Sequence, residues 1–138
     1  MPYPEQMVAP MRAELTSAGV KELRSGSDVD AFMADRPGTA MIIVNSVCGC
    51  AAGGARPGVK LALRHAKKPQ RIATVFAGQD TEAVQKARGY FAEVPPSSPS
   101  IAIFKDGELI HFVPRHAIEG RGPEQIAQEL TKVFDEVC

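Results

Sequence analysis

Cysteine is scarce in this chain, three among 138 residues. Structural disulfide frameworks use even sets of cysteines in an oxidising compartment, so three argue against one. Neither sign of charge is in excess: 16 Lys and Arg stand against 16 Asp and Glu. No surplus of cations is left to displace counterions from a nucleic acid or an anionic membrane. Neither partner is expected. Long apolar runs are missing too, since stretches such as Ala40 to Val44 fall far short of the roughly 20 residues that cross a bilayer. The opening MPYPEQMVAPMRAEL has neither the basic nor the apolar region of a secretory leader. A soluble, cytoplasmic protein is the expectation.

Nucleotide motifs are also absent. Gly53 and Gly58 have the spacing of a phosphate-binding loop, but Val59 stands where that loop needs lysine. No G-x-G-x-x-G follows a strand. A protein without its own flavin or nicotinamide is therefore expected, with electrons coming from a low-molecular-weight thiol or a partner reductase.

What the chain does contain is enough for one domain, residues 1–138. A chain of this length with 44% apolar residues removes roughly two thirds of its unfolded surface from water. Beyond a frayed start, Pro10 is expected to open a helix through Leu15 that Gly19 closes. Val20 to Leu23 reads as a short strand. Ser27 and Asp30 form a weak capping box for a helix with Val29, Phe32 and Met33 on one face, stopped at Pro37-Gly38. Thr39 to Val47 is continuous and β-branched at its centre, which suits a strand buried on both faces of a parallel sheet.

A Gly-rich turn and a helix to about His65 to Lys68 follow, with a late start or kink expected at Pro57. Ile72 to Ala77 reads as a second buried strand and Thr81 to Phe91 as a helix. This order favours an α/β fold. Ile101 to Phe104 and Leu109 to Val113 flank Asp106-Gly107, a strong signal for a two-residue hairpin. Pro123 opens a final helix whose stripe is Ile126, Leu130, Val133, Phe134 and Val137. The Ser- and Pro-rich run at 95–100 abuts a strand, so it reads as a rigid turn.

Cys48-Gly49-Cys50 lies where the central strand gives way to a helix. In open α/β sheets ligands bind at that end, and the unpaired N–H groups of the helix start favour a thiolate over a thiol. Cys48, nearer the strand, is expected to be the more exposed and the nucleophile, with Cys50 as its partner. A disulfide between residues i and i+2 closes a small ring, and Gly49 eases the bend because glycine tolerates positive φ. Residual strain would make such a disulfide easy to reduce. Two other readings compete. The cysteines could be inert packing residues, or two thiolates could hold Zn or Cu(I) with His65, His111, His116 or Cys138. No second C-x-C, C-x-x-C or H-x-x-x-H completes a metal set in the sequence. Cys138 reads as an exposed thiol at a helix end. Arg56, Lys60 and Arg64, four residues apart, read as a solvated basic face, and Arg115 and His116 as part of a structural loop.

The run Pro99 to Glu108, PSIAIFKDGE, resembles the proline, apolar strand and F-K-x-G-E hairpin of thioredoxins. Over nearly the whole chain, VNSVCGCAAGGARP, VFAGQD, FAEVPPSSPS and HFVPRHAIEG resemble the bacilliredoxin family, which are thioredoxin-like proteins bearing C-G-C. The resemblance implies a central mixed β-sheet flanked by helices with an additional amino-terminal helix. It also implies a cis Ser98-Pro99 bond facing the cysteines, and substrate contacts at Gly49, Ser98 and Pro99. The implied activity is thiol–disulfide exchange that takes bacillithiol off S-bacillithiolated proteins. Cys48 attacks, Cys50 or a second bacillithiol resolves, and disulfide isomerisation is a further implied activity. Bacillithiol would be a co-substrate rather than a bound cofactor.

Overall fold

The structure is a computed structural model and describes residues 2–138. Five strands form one mixed sheet in the order β1-β3-β2-β4-β5. β1 (Lys21–Glu22), β3 (Arg71–Phe76) and β2 (Thr39–Asn45) run parallel. β4 (Ser100–Lys105) is antiparallel to β2, and β5 (Glu108–Val113) to β4. Every residue of β2 is buried. Met41 and Ile43 point into a core shared with α3 (Arg56–Ala62) and α6 (Pro123–Val137). Ala40, Ile42 and Val44 point into the opposite core, under α2 (Gly26–Ala34) and α4 (Thr81–Gly89). Two apolar layers explain why the sequence of β2 runs apolar without alternation. No helix among the described residues is long and apolar enough to cross a membrane.

α1 (Glu5–Thr16) corrects one expectation: Pro10 lies inside it, and the helix begins at Glu5 after Pro4. Among the described residues the start is not frayed. Tyr3 donates its N–H to Gln79 Oε1 at 2.7 Å, and Gln79 Nε2 returns a bond to the Tyr3 carbonyl at 3.0 Å. That tie to the β3–α4 loop, together with Arg12, holds a helix whose middle lacks one N–H donor. Arg12 is buried among Glu5, Glu22 and Asp80, at 2.9, 2.7 and 2.7 Å, with its guanidinium over the Phe76 ring. The cap of α2 also lies earlier than the weak capping box suggested. Ser25, not Ser27, accepts the Asp28 N–H at 3.1 Å.

The kink expected at Pro57 exists as a widened turn. Residues Ala51–Ala55 form a π-helical segment, and the Arg56 N–H bonds back to the Ala51 carbonyl. A wider turn relieves the clash of the Pro57 ring with the carbonyl four residues earlier. The glycines near it serve packing: a Cβ at Gly58 would sit 2.9 Å from Ile126 Cβ, and one at Gly54 would sit 3.1 Å from Ile126 Cδ1. Their spacing brings the helix after the cysteines close to α6. The β4–β5 hairpin turns on Asp106 and Gly107, with φ of 52° and 83°, the two positive values that a type I′ turn requires. A short helix, α5 (Arg115–Ile118), follows β5 where the sequence suggested only a loop.

Candidate active site

β2 ends at Asn45, and the next five residues deliver both cysteines into the start of the π-helical segment. Val44 pairs with Ser100 across the sheet, so the residues just before β4 lie beside this loop. Ser98-Pro99 is a cis peptide bond, with Pro99 buried and Ser98 half-buried. Register alone therefore brings Pro99 and the Cys48 loop to the same edge. Gly49 is exposed, has open space where a side chain would project and does not adopt positive φ. With both thiols free, what Gly49 contributes is access to the two sulfurs rather than a special backbone conformation.

Both cysteines are half-buried, and that shared class of burial does not single out Cys48 as the sequence suggested. Their hydrogen bonds do. Partial burial opposes the Cys48 thiolate, but the Cys50 thiol, the Ser46 hydroxyl and the backbone N–H groups of Ala51 and Cys50 outweigh it. Together they bring the Cys48 pKa down to about 7. Cys50 moves the other way: burial, its bond to Cys48 and repulsion from the Cys48 charge all raise its pKa, against the attraction of Arg115. Cys48 is the more acidic sulfur, about half of it thiolate at neutral pH, and Cys50 is the thiol that donates to it.

A polar chain supports this arrangement from below. The Cys48 N–H donates to Ser46 Oγ at 3.2 Å, and the Ser46 N–H donates to Asn45 Oδ1 at 2.9 Å. Arg56 Nη1 reaches both Asn45 Oδ1, at 2.9 Å, and the Ser46 carbonyl, at 2.7 Å. Arg56 is only 2% exposed, which corrects the solvated basic face assigned to it; Lys60 and Arg64 remain exposed. Its charge is answered from α1, where a Glu14 carboxylate oxygen lies 3.1 Å from Nε, although no aligned hydrogen bond forms there. Asn45 Nδ2 also donates to the Met11 carbonyl at 3.3 Å. The additional amino-terminal helix is thus wired into the cysteine loop. None of Glu14, Asn45 or Ser46 stood out in the sequence; the only signal was a polar Asn-Ser pair ending an apolar strand.

Arg115, placed in a structural loop by the sequence, comes to the site. Its backbone N–H donates to Ser97 Oγ and its Nη1 to the Ser98 carbonyl, each at 3.2 Å, and its charge is felt at both cysteines. The metal reading finds no geometric support, because among the described residues no group of three His, Cys, Asp or Glu is placed to hold an ion. His65 pairs with Asp135 at 2.8 Å and His111 with Glu129 at 2.7 Å. His116 is exposed, and Cys138 sits exposed at the end of α6.

A mixed sheet with a C-x-C pair at the end of its central strand, beside a cis-proline, defines a thioredoxin-like thiol–disulfide oxidoreductase. Solved structures agree on the fold. Mitochondrial thioredoxin 3 of Saccharomyces cerevisiae superposes with a TM-score of 0.61 at 16% identity, covering 90% of this chain and 99% of that one. Thioredoxin O2 of Arabidopsis thaliana gives 0.58 at 13% identity, covering 86% and 96%. The chain belongs to the bacilliredoxin family. It is 61% identical over 135 residues to a bacilliredoxin of Cytophaga hutchinsonii, covering 98% of this chain and 99% of that one. It is 53% identical over 136 residues to one from Koribacter versatilis, covering 99% and 94%. The family described as "Disulphide isomerase" matches residues 3–138.

Proposed function

We propose that the protein removes bacillithiol from S-bacillithiolated proteins, with Cys48 as the nucleophile. The observation that supports this reading most directly is the asymmetry of the pair, a Cys48 pKa near 7 beside a Cys50 pKa that is raised. The Cys48 thiolate attacks the bacillithiol sulfur of the mixed disulfide. The bond between target cysteine and bacillithiol breaks, a bond between Cys48 and bacillithiol forms, and the target leaves as a thiolate that takes a proton from solvent. Once Cys48 is no longer anionic, burial still raises the Cys50 pKa, but the bond to the Cys48 thiolate and the repulsion from its charge are gone. Cys50 loses its proton and attacks the Cys48 sulfur, releasing bacillithiol and leaving a Cys48–Cys50 disulfide. That oxidised pair returns to dithiol by accepting two electrons from a low-molecular-weight thiol or a partner reductase. The same exchange run on a protein disulfide is isomerisation, which makes that a second activity of the site.

Substrate main chain is placed along Ser98, beside Pro99 and the uncovered Gly49. The Ser98 carbonyl already accepts one bond from Arg115, which leaves its second lone pair and the Ser98 N–H for pairing. In a turnover test, an S-bacillithiolated protein is incubated with wild type, Cys48→Ala and Cys50→Ala. Wild type and Cys50→Ala should strip the adduct while Cys48→Ala should not. Equal activity in Cys48→Ala would remove the nucleophile assignment.

A further inference from the structure

Arg56 carries a charge into the interior, where its side chain is 2% exposed. Burying a guanidinium is costly unless well-placed partners offset the loss of water. Its ion pair does not account for that cost. Glu14 has 39% of its side chain exposed, and Arg56 Nε, 3.1 Å from the carboxylate, is buried without an aligned acceptor. The well-formed bonds go elsewhere: Nη1 donates to Asn45 Oδ1 at 2.9 Å and to the Ser46 carbonyl at 2.7 Å. Asn45 ends β2, Ser46 follows it, and Cys48 stands two positions further on.

These bonds decide where the Ser46 side chain sits. The Ser46 N–H donates to the same Asn45 Oδ1 at 2.9 Å, so both polar groups of the Ser46 main chain are held, one by Asn45 and one by Arg56. The Asn45 amide is itself fixed, because its Nδ2 donates to the Met11 carbonyl at 3.3 Å. Only the Ser46 hydroxyl is left over, and it faces the nucleophile. Its Oγ accepts the Cys48 N–H at 3.2 Å and supports the Cys48 thiolate. The backbone of Arg56 is tied back as well, through its N–H to the Ala51 carbonyl in the π-helical turn that follows the cysteines. The chain thus leaves the cysteines and returns beneath them.

A charge-assisted hydrogen bond is roughly twice as strong as a neutral one, which suits a loop that must keep its shape while Cys48 passes from thiolate to disulfide. The other groups felt at the sulfurs lie apart from this chain of bonds. Arg115 of α5 donates to Ser97, Ser98 and Glu119, not to Asn45 or Ser46.

We propose that Arg56 is a positioning residue of the exchange reaction, holding the Ser46 main chain so that the Ser46 hydroxyl stays beside Cys48. It acts only through Ser46. The step rests on the reading of Cys48 as the nucleophile.

The test is a mutant cycle of Arg56→Met and Ser46→Ala in protein carrying Cys138→Ser, read as the pH midpoint of single-turnover reaction with a small aromatic disulfide. Denaturation midpoints are recorded alongside, because loss of a buried cation also costs stability. From a wild-type midpoint of about 7, Arg56→Met should raise the value by about half to one pH unit, as a loosened Ser46 gives up its bond to the sulfur. In the Ser46→Ala background the same change should move it by less than about 0.2 unit, since the group through which Arg56 acts is gone. Where Arg56→Met does not fold, Arg56→Lys takes its place, with a rise of about half that size expected because its ammonium ends one bond short of Nη1.

A residue that merely braces the fold lowers the denaturation midpoint and leaves the pH midpoint at the wild-type value; that result overturns the proposal. So does a shift of equal size with and without Ser46, which would mean that the buried charge acts on the sulfur through space. Failure of the nucleophile reading is a separate result, in which Cys48→Ala reacts with the disulfide as fast as wild type whatever the Arg56 variants do.

Discussion

Replacing Ser46 with alanine isolates the support beneath the nucleophile. Ser46 is 7% exposed, and alanine fits its space. The change removes one of the four groups that stabilise the Cys48 thiolate, together with the acceptor of the Cys48 N–H at 3.2 Å. One lost hydrogen bond to a charged sulfur, partly replaced by water at this half-open site, should weaken the acid by about tenfold. From a pKa of about 7, the thiolate fraction at pH 7 then drops from about one half to about one tenth. The remaining thiolate is more basic and so about threefold more nucleophilic, with a Brønsted coefficient of 0.4 to 0.5.

These two effects oppose each other, and their balance depends on pH. At pH 7 the variant should react about half as fast as wild type, and at pH 9 about three times as fast, the profiles crossing near about pH 7.5. The assay is single-turnover exchange with a small aromatic disulfide from pH 5 to 10. Both proteins carry Cys138→Ser, so that only the pair at the site can react. A profile that keeps its midpoint, or that drops by one factor at every pH, would refute the claim that Ser46 sets the acidity of Cys48.

Other outcomes follow from the same contacts. Gly58→Ala places a Cβ 2.9 Å from the Ile126 Cβ, and equilibrium denaturation should show a loss of about 1–3 kcal/mol, the usual cost of overpacking. Arg12→Met leaves Glu22 and Asp80, both nearly buried, without their cation and should cost about 3–5 kcal/mol; an unchanged denaturation midpoint would show that the cluster contributes nothing. Glu129 is raised by burial but lowered further by Arg121 and His111, so its folded pKa lies below its ordinary value of 4.5. Its contribution is therefore full above that value and lost as pH falls through the folded one. Thermal melts below pH 5 should be less acid-sensitive in Glu129→Gln than in wild type.

Elements whose cause is local were legible in the sequence. The doubly covered strand β2, the Asp106-Gly107 turn and the amphipathic α6 each follow from a few neighbouring residues, and each stands where its pattern put it. Pro57 was read correctly as a disturbance, though its form, a π-helical turn, depends on how the chain relaxes around the ring. Pro10 misled because its preference for a first turn is a tendency. Here a tie between Tyr3 and Gln79, 76 residues apart, extends the helix past it.

The site divides along the same line. Cys48-Gly49-Cys50 and the cis-proline were readable from motif and resemblance. The direction of the hydrogen bond between the sulfurs was not, nor was the path from Glu14 through Arg56 and Asn45 to Ser46, since it joins α1, β2 and α3. Arg56 illustrates the difficulty: four-residue spacing with Lys60 and Arg64 marks a charged helical face, but which members of that face reach water depends on where α1 lies.

Which sulfur holds the adduct is the point on which the account turns. The direct measurement is peptide mapping by mass spectrometry of Cys50→Ala after one turnover with an S-bacillithiolated protein, quenched in acid. The account predicts one bacillithiol on the peptide containing Cys48, an unmodified Cys138, and one equivalent of free thiol on the target. Bacillithiol on Cys138, or a target freed of its adduct while Cys48 stays unmodified, would contradict it.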